Sequence, residues 1–185
     1  CLFERPEHDS PLGHLALRGL RRLHLGRGAG MSSAALVTGA GKRLGRAMAL
    51  SLGQRGFDVA VHYNNSADEA EEVAAEIRAM GRKAIAVQAD LTVEEDMQRL
   101  VPAAAAALGQ PLTVLVNSAS IFEYDNIETA TRESWDRHLE SNLRAPFVLI
   151  QAFAAQAPDP DIGGEWSDAT AKALVVNMID QRVRK

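Results

Sequence analysis

The sequence predicts an α/β protein built on a doubly wound parallel sheet, incomplete on its C-terminal side. Three observations carry this. From Met31 onward, short apolar runs alternate with amphipathic stretches several helical turns long, which is the pattern of βαβ units. The apolar runs are continuous rather than alternating, as strands are when helices cover both faces of their sheet. A glycine-rich turn joins the first apolar run to the first amphipathic stretch. Right-handed crossovers then wind the helices onto both faces.

The elements follow in order. Residues 34–38 form the first strand, and the helix after it spans 44–52 and closes at Gly53 and Gly56. Residues 58–63 (DVAVHY) are the second strand. Ser66 and Glu69 have the capping-box spacing, in which each side chain bonds the other residue's backbone N–H. They open a helix that reaches Met80 and stops at Gly81. The third strand is 83–89. Thr92 and Glu95 repeat the capping-box spacing ahead of a helix that ends at Leu108, with Gly109 beyond it. The fourth strand, 112–116, lies between Pro111 and Asn117. One long helix is expected over 132–155, then a Pro/Gly/Asp-rich loop at 157–164 and a fifth strand at 173–179.

Composition bounds what such a chain can be. With 185 residues, 46% apolar and 24% charged, it fits one globular domain with a real core. A net charge of −4 gives no reason to expect a nucleic acid or other polyanion as partner. The single cysteine, Cys1, excludes an internal disulfide and a cysteine metal cage, and fits a reducing compartment. No metal site is expected. No apolar run approaches the ~20 residues of a spanning helix, so the expectation is a soluble, cytoplasmic protein. Residues 1–32 read as a disordered or non-native extension; Glu4, Glu7 and Asp9 argue against a transit peptide. Residues 33–185 are expected to form the single α/β domain.

The chemistry starts in the first turn, Thr38-Gly39-Ala40-Gly41-Lys42-Arg43-Leu44-Gly45. Gly39 and Gly41 allow a tight turn and close approach of a pyrophosphate, which a helix N-terminus receives on its unpaired N–H groups. Gly45 removes a side chain where the helix crosses the sheet. This spacing, preceded by Thr, resembles the T-G-x-x-x-x-x-G turn of the short-chain dehydrogenase/reductase family, whose fold is the Rossmann type. Further marks stand where the resemblance would put them. Asp90 and Leu91 end the third strand, where the family's Asp touches adenine. Asn117-Ser118-Ala119-Ser120 looks like the family's N-N-A-G, altered at two positions. Asn142 matches the helix Asn that holds a catalytic water. The resemblance covers residues 33–185 and implies an oxidoreductase.

The end of the second strand selects the cofactor. Enzymes using NAD place an acid there for the ribose hydroxyls, and that acid would repel a 2′-phosphate. This chain reads His62-Tyr63-Asn64-Asn65-Ser66, with no acid before Asp68. Arg43, with Lys42 beside it, can grip a phosphate, and Asn64, Asn65 and Ser66 can donate to it. The expected cofactor is NADPH. The set G-A-x-K-R-L-G, H-Y-x-x-S and N-x-A-S-x-F resembles the pteridine reductase branch. That resemblance puts Ser120 near the nicotinamide and stacks Phe122 on a flat ring, though a core role for Phe122 fits equally. It also makes Asp180, where most relatives have Ser, a proton-delivery residue; a strand-end turn is the other reading. His138 and Trp135 read as packing or solvated residues.

The family's Tyr-x-x-x-Lys pair is not among these residues: Tyr63 and Tyr124 are followed four positions on by Ala67 and Glu128. The expectation is therefore the NADP(H)-binding part of a reductase of a pterin-like or other small carbonyl or imine substrate, inactive by itself. The full protein is expected to be a homo-oligomer, a dimer or tetramer. The alternatives are a 3-oxoacyl-thioester reductase and a naturally short, non-catalytic nucleotide-binding module.

Overall fold

The four residues of β1 (Ala34–Val37) are wholly buried, which is the signature of a central strand. The computed structural model describes residues 33–158 and 172–179. The expectations for residues 1–32, for most of the loop at 157–164 and for Asp180 lie outside the described residues. The elements that follow β1 are α1 (Arg43–Gln54), β2 (Asp58–Tyr63), α2 (Ala67–Ala79), β3 (Ala84–Gln88), α3 (Glu94–Leu108) and β4 (Leu112–Asn117). After a long loop come α4 (Arg132–Leu139), a π-helical turn (Glu140–Arg144), α5 (Ala145–Gln156) and β5 (Leu174–Asn177).

The sheet order is β3-β2-β1-β4-β5, and every pair is parallel. The chain winds outward through β2 and β3, then crosses back to lay β4 against the other side of β1. Strand order reverses between β1 and β4, and in such sheets the crevice for a ligand opens there, beyond the carboxyl ends of the strands.

Each face of the sheet has its own core. Ala34, Leu36, Ala60 and Leu115 face Met97, Leu100, Val101 and Ala104 of α3 and Val148, Leu149 and Phe153 of α5. Ala35, Val37, Val59, Val61 and Val114 face Ala49 and Leu52 of α1 and Ala70, Val73, Ala74 and Ile77 of α2. Successive strand residues thus serve opposite cores, which is why the strands read as unbroken apolar runs. At the amino end of β2, far from the crevice, Asp58 is 2% exposed. Its Oδ1 accepts from Arg82 Nη2 and Lys83 N, both at 2.9 Å, and its Oδ2 accepts from Gln110 Nε2 at 2.8 Å. This buried carboxylate is fully satisfied and ties β2 to the start of β3 and the end of α3.

Three local expectations are corrected. Ser66 is the N-cap of α2 but its side chain caps nothing; the Glu69 carboxylate is held instead by Lys42 Nζ at 2.7 Å. Thr92 does not open α3, whose N-cap is Val93. Its N and Oγ1 both donate to Asp90 Oδ1, at 2.9 and 2.7 Å, an Asx-type turn that takes the hydroxyl away from the helix. The long helix is divided by the π turn. A capping box does open its first half: Thr131 Oγ1 accepts from Ser134 N at 3.1 Å, and Ser134 Oγ accepts from Thr131 N at 3.2 Å. Gly109 closes α3 in the left-handed region, φ +76°, as a C-terminal glycine should.

Candidate functional site

A cleft of about 820 Å³ opens at the carboxyl ends of the strands, at the β1/β4 reversal. Its near wall is the first turn and the start of α1: Gly39, Lys42, Arg43, Leu44 and Gly45. Asn64 and His62 come from the end of β2, and Asp90, Leu91 and Thr92 from the end of β3. Ser118, Ala119, Ser120 and Ile121 follow β4, Ser141 and Asn142 come from the π turn, and Met178 and Ile179 follow β5.

Steric demands shape the near wall. Gly39 has φ +63°, and a Cβ on it would lie 2.9 Å from Ala119 Cα. A Cβ on Gly45 would lie 2.2 Å from the Gly39 carbonyl oxygen, so this glycine lets α1 start directly on the turn. Gly41 faces elsewhere, against Ser66 and Ala70 of α2. Thr38, 1% exposed, joins the turn to the far side. Its Oγ1 accepts from Ser118 N and Ala119 N, both at 2.9 Å.

The start of α1 is electrostatically open. Lys42 is its N-cap with no side-chain cap, and its first turn contains no acid. The first N–H groups of a helix have no intrahelical acceptor, and the helix dipole adds positive potential to them. Arg43, the first helical residue, has φ +50°, a left-handed conformation that costs a non-glycine residue about 1–2 kcal/mol. Among the described residues its guanidinium has no carboxylate partner, whereas Lys42 is paired with Glu69. Across the cleft, hydrogen bonds from Thr92 hold the Asp90 carboxyl below the usual carboxylate range, with Asn64 adding a further hydrogen bond.

His62 is 2% exposed. Its Nδ1 accepts the Gly39 N–H at 3.1 Å and its Nε2 lies 3.1 Å from the Ala89 carbonyl. Burial lowers its pKa from 6.5 to about 4, against opposing pulls from the Ala89 carbonyl, Asp90 and Asp96. On the far side, Asn142 Oδ1 accepts from Ile121 N at 2.9 Å and its Nδ2 donates to Ile121 O at 2.8 Å. Both ends of that amide therefore clasp one backbone residue, which fixes its orientation while one N–H and one oxygen lone pair stay available. His138 does a similar job one turn earlier, accepting from Glu123 N at 3.0 Å and facing Ser134 O at 2.7 Å.

Most residues expected at the site converge on this cleft. The exceptions are Gly41, Tyr63, Asn65, Ser66, Asn117 and Phe122, which do not line it. Tyr63 packs against the α1/α2 core, and Asn65 is exposed beside the cleft. Asn117 is buried and donates to Asn177 Oδ1 at 2.8 Å, which ties β4 to β5. Phe122 is 70% exposed, which rules out its reading as a core aromatic. The residues not foreseen are Thr38, His62, Thr92, Ile121, Ser141, Met178 and Ile179. A polar Thr and His inside otherwise apolar strands were the available signal for the first two.

A family profile described as short chain dehydrogenase matches residues 33–163. The chain belongs to the short-chain dehydrogenase family. It is 39% identical over 122 residues to the short-chain dehydrogenase/reductase FrzI of a Cladobotryum species, covering 66% of this chain and 47% of that one. It is 35% identical over 126 residues to the 3-oxoacyl-[acyl-carrier-protein] reductase FabG of Staphylococcus epidermidis, covering 68% of this chain and 51% of that one. The chain thus spans about half the length of these curated relatives. Among solved structures it resembles FolM alternative dihydrofolate reductase 1 from Brucella suis, in complex with NADP. That match has 38% identity and a TM-score of 0.71, over 82% of this chain and 58% of that one. Among the described residues no helix is long and apolar enough to cross a membrane, and no cluster of His, Cys, Asp and Glu could hold a metal ion.

Proposed function

We propose that the full protein is an NADPH-dependent reductase of a small conjugated substrate of the pterin class. One observation carries the cofactor reading: the uncapped, acid-free start of α1 faces the cleft with the Arg43 guanidinium beside it, which has no carboxylate partner among the described residues. Helix-start donors and a cation with no carboxylate beside it among the described residues suit an anionic dinucleotide. In this reading the first amides of α1 hold the pyrophosphate, and Arg43 with Asn64 holds the 2′-phosphate. Asn65 and Ser66, just outside the cleft, close that end. Asp90 and Leu91 border the adenine. Ser118, Ala119 and Ser120 form the floor under the nicotinamide, and Thr38 keeps that floor in place. NADPH, when bound, supplies a hydride to the substrate. In this reading Asn142, oriented by its two bonds to Ile121, would hold a water of the proton path.

The pterin-class substrate is supported by the likeness to FolM alternative dihydrofolate reductase 1, and by Ser120 in the cleft lining with the exposed Phe122 two residues beyond it. Asp180 would assist proton delivery. The FabG relative favours a second reading, reduction of a 3-oxoacyl thioester. NADPH oxidation by the full protein separates them: turnover with dihydrobiopterin and none with acetoacetyl thioester is expected, and the reverse preference would refute the pterin reading. Binding of NADPH without turnover of either would point to a non-catalytic module.

A further inference from the structure

The two ring nitrogens of His62 have opposite duties. A backbone N–H only donates and a carbonyl only accepts, so Nδ1 must be the acceptor for Gly39 and Nε2 must carry the proton toward Ala89. The main chain of the same residue acts too, since the His62 carbonyl accepts the Ala40 N–H at 2.9 Å. One residue therefore consumes the first two amides of the turn and leaves the later ones, at the start of α1, for an anion. The other end of the ring matters equally. Ala89 directly precedes Asp90 and Leu91, which also line the cleft. A single imidazole thus bridges the glycine turn after β1 and the residue leading into Asp90 and Leu91 after β3, and among the described residues no other side chain bonds Gly39 N.

We infer that His62 is a positioning residue for the dinucleotide, its Nε2-protonated ring setting the pose of the glycine turn relative to the Asp90–Leu91 segment of the cleft lining. The inference rests on the NADPH reading above. It makes the two ring contacts unequal: the Nδ1 bond orients the turn that meets the pyrophosphate, whereas the Nε2 bond anchors the ring.

Two substitutions separate them. In His62→Asn the side-chain Oδ1 occupies the place of Nδ1 and can accept from Gly39, with nothing reaching Ala89. In His62→Gln the Nε2 amide can reach Ala89, and the Gly39 N–H loses its acceptor. The experiment is fluorescence titration of NADPH into the full protein and both variants, with thermal melting alongside. Asn is expected to stay within about threefold of wild-type affinity and Gln to bind about tenfold or more weakly, while both melt at similar temperatures. Equal losses of affinity in the two variants, or losses that follow melting temperature, would overturn the inference. If either variant fails to fold, nitrogen NMR of the wild-type imidazole decides: an Nε2–H ring supports the assignment and an Nδ1–H ring refutes it. A wild-type protein that does not bind NADPH but shows the Nε2–H ring would refute the cofactor reading, and with it the positioning role, leaving only the tautomer.

Discussion

Replacing Thr38 by Val is the sharpest test of how the cleft is held open. The substitution keeps the shape of a side chain that is 1% exposed and deletes one hydroxyl. That oxygen accepts two backbone N–H groups, Ser118 and Ala119, each at 2.9 Å, and donates at 3.4 Å to Val116 O, a long contact. The Val116 carbonyl keeps the Thr38 N–H at 2.9 Å, so the loss falls on the two amides. A buried donor left without an acceptor costs about 1–3 kcal/mol. Ser118 and Ala119 are only partly buried, so water recovers some of that, and about 2–3 kcal/mol in total is expected. For a protein of this size that corresponds to a melting temperature about 4–12 °C lower. Urea unfolding of the full protein, with Thr38→Ser as the hydroxyl-retaining control, gives the comparison. Thr38→Val as stable as Thr38→Ser would show that the hydroxyl does not stitch β1 to the loop after β4.

Three further outcomes follow from the same geometry. Gly45→Ala places a Cβ 2.2 Å from the Gly39 carbonyl; it is expected to cost about 1–3 kcal/mol as an overpacked contact and to weaken NADPH binding, and unchanged melting and affinity would contradict the packing. Arg43 has φ +50°, so Arg43→Gly should be more stable than Arg43→Ala by about 1 kcal/mol, read by urea midpoint, although both lose the guanidinium; the opposite order would deny the strain. The third outcome concerns pH. The folded pKa of His62 is depressed from 6.5 to about 4, so between these values the unfolded chain binds a proton that the folded one does not. Stability then rises with pH across that window, is flat above it for this group, and falls by on the order of 3 kcal/mol on acidification from 6.5 to 4. Asp90 and Asp96 face the ring and oppose the shift. His62→Asn should flatten that part of the profile, and a profile identical to wild type would refute it.

The parts of the fold that were legible in the sequence are those set by local pattern. β2 reads correctly at both ends because six apolar-rich residues lie between a glycine-bounded helix and an Asn-Asn turn. The need for glycine at position 45 is legible because it is steric and internal to a few residues, its Cβ meeting Gly39 and Ala40, whereas Gly39 also answers to Ala119, 80 residues on, and Gly41 to α2. What could not be read depends on residues far apart in sequence. The break in the long helix is invisible in its periodicity, because the π turn orients an Asn142 amide that clasps Ile121, 21 residues away. His62 matters only through Gly39 and Ala89, which the fold brings to either side of it. The capping boxes failed by competition: Lys42 takes Glu69 and Asp90 takes Thr92. The box that formed uses Ser134 where the pattern looks for Glu or Gln.

The central claim is that this cleft takes a dinucleotide bearing a 2′-phosphate, gripped by Arg43. Titration calorimetry of the full protein and its Arg43→Ala variant with NADPH and with NADH tests it directly. A charge-assisted contact of about 1.5–3 kcal/mol predicts that wild type prefers NADPH by about ten- to a hundredfold, and that the variant loses this preference while its NADH affinity stays the same. Equal wild-type affinities for the two cofactors, or a preference that survives the loss of Arg43, would contradict it.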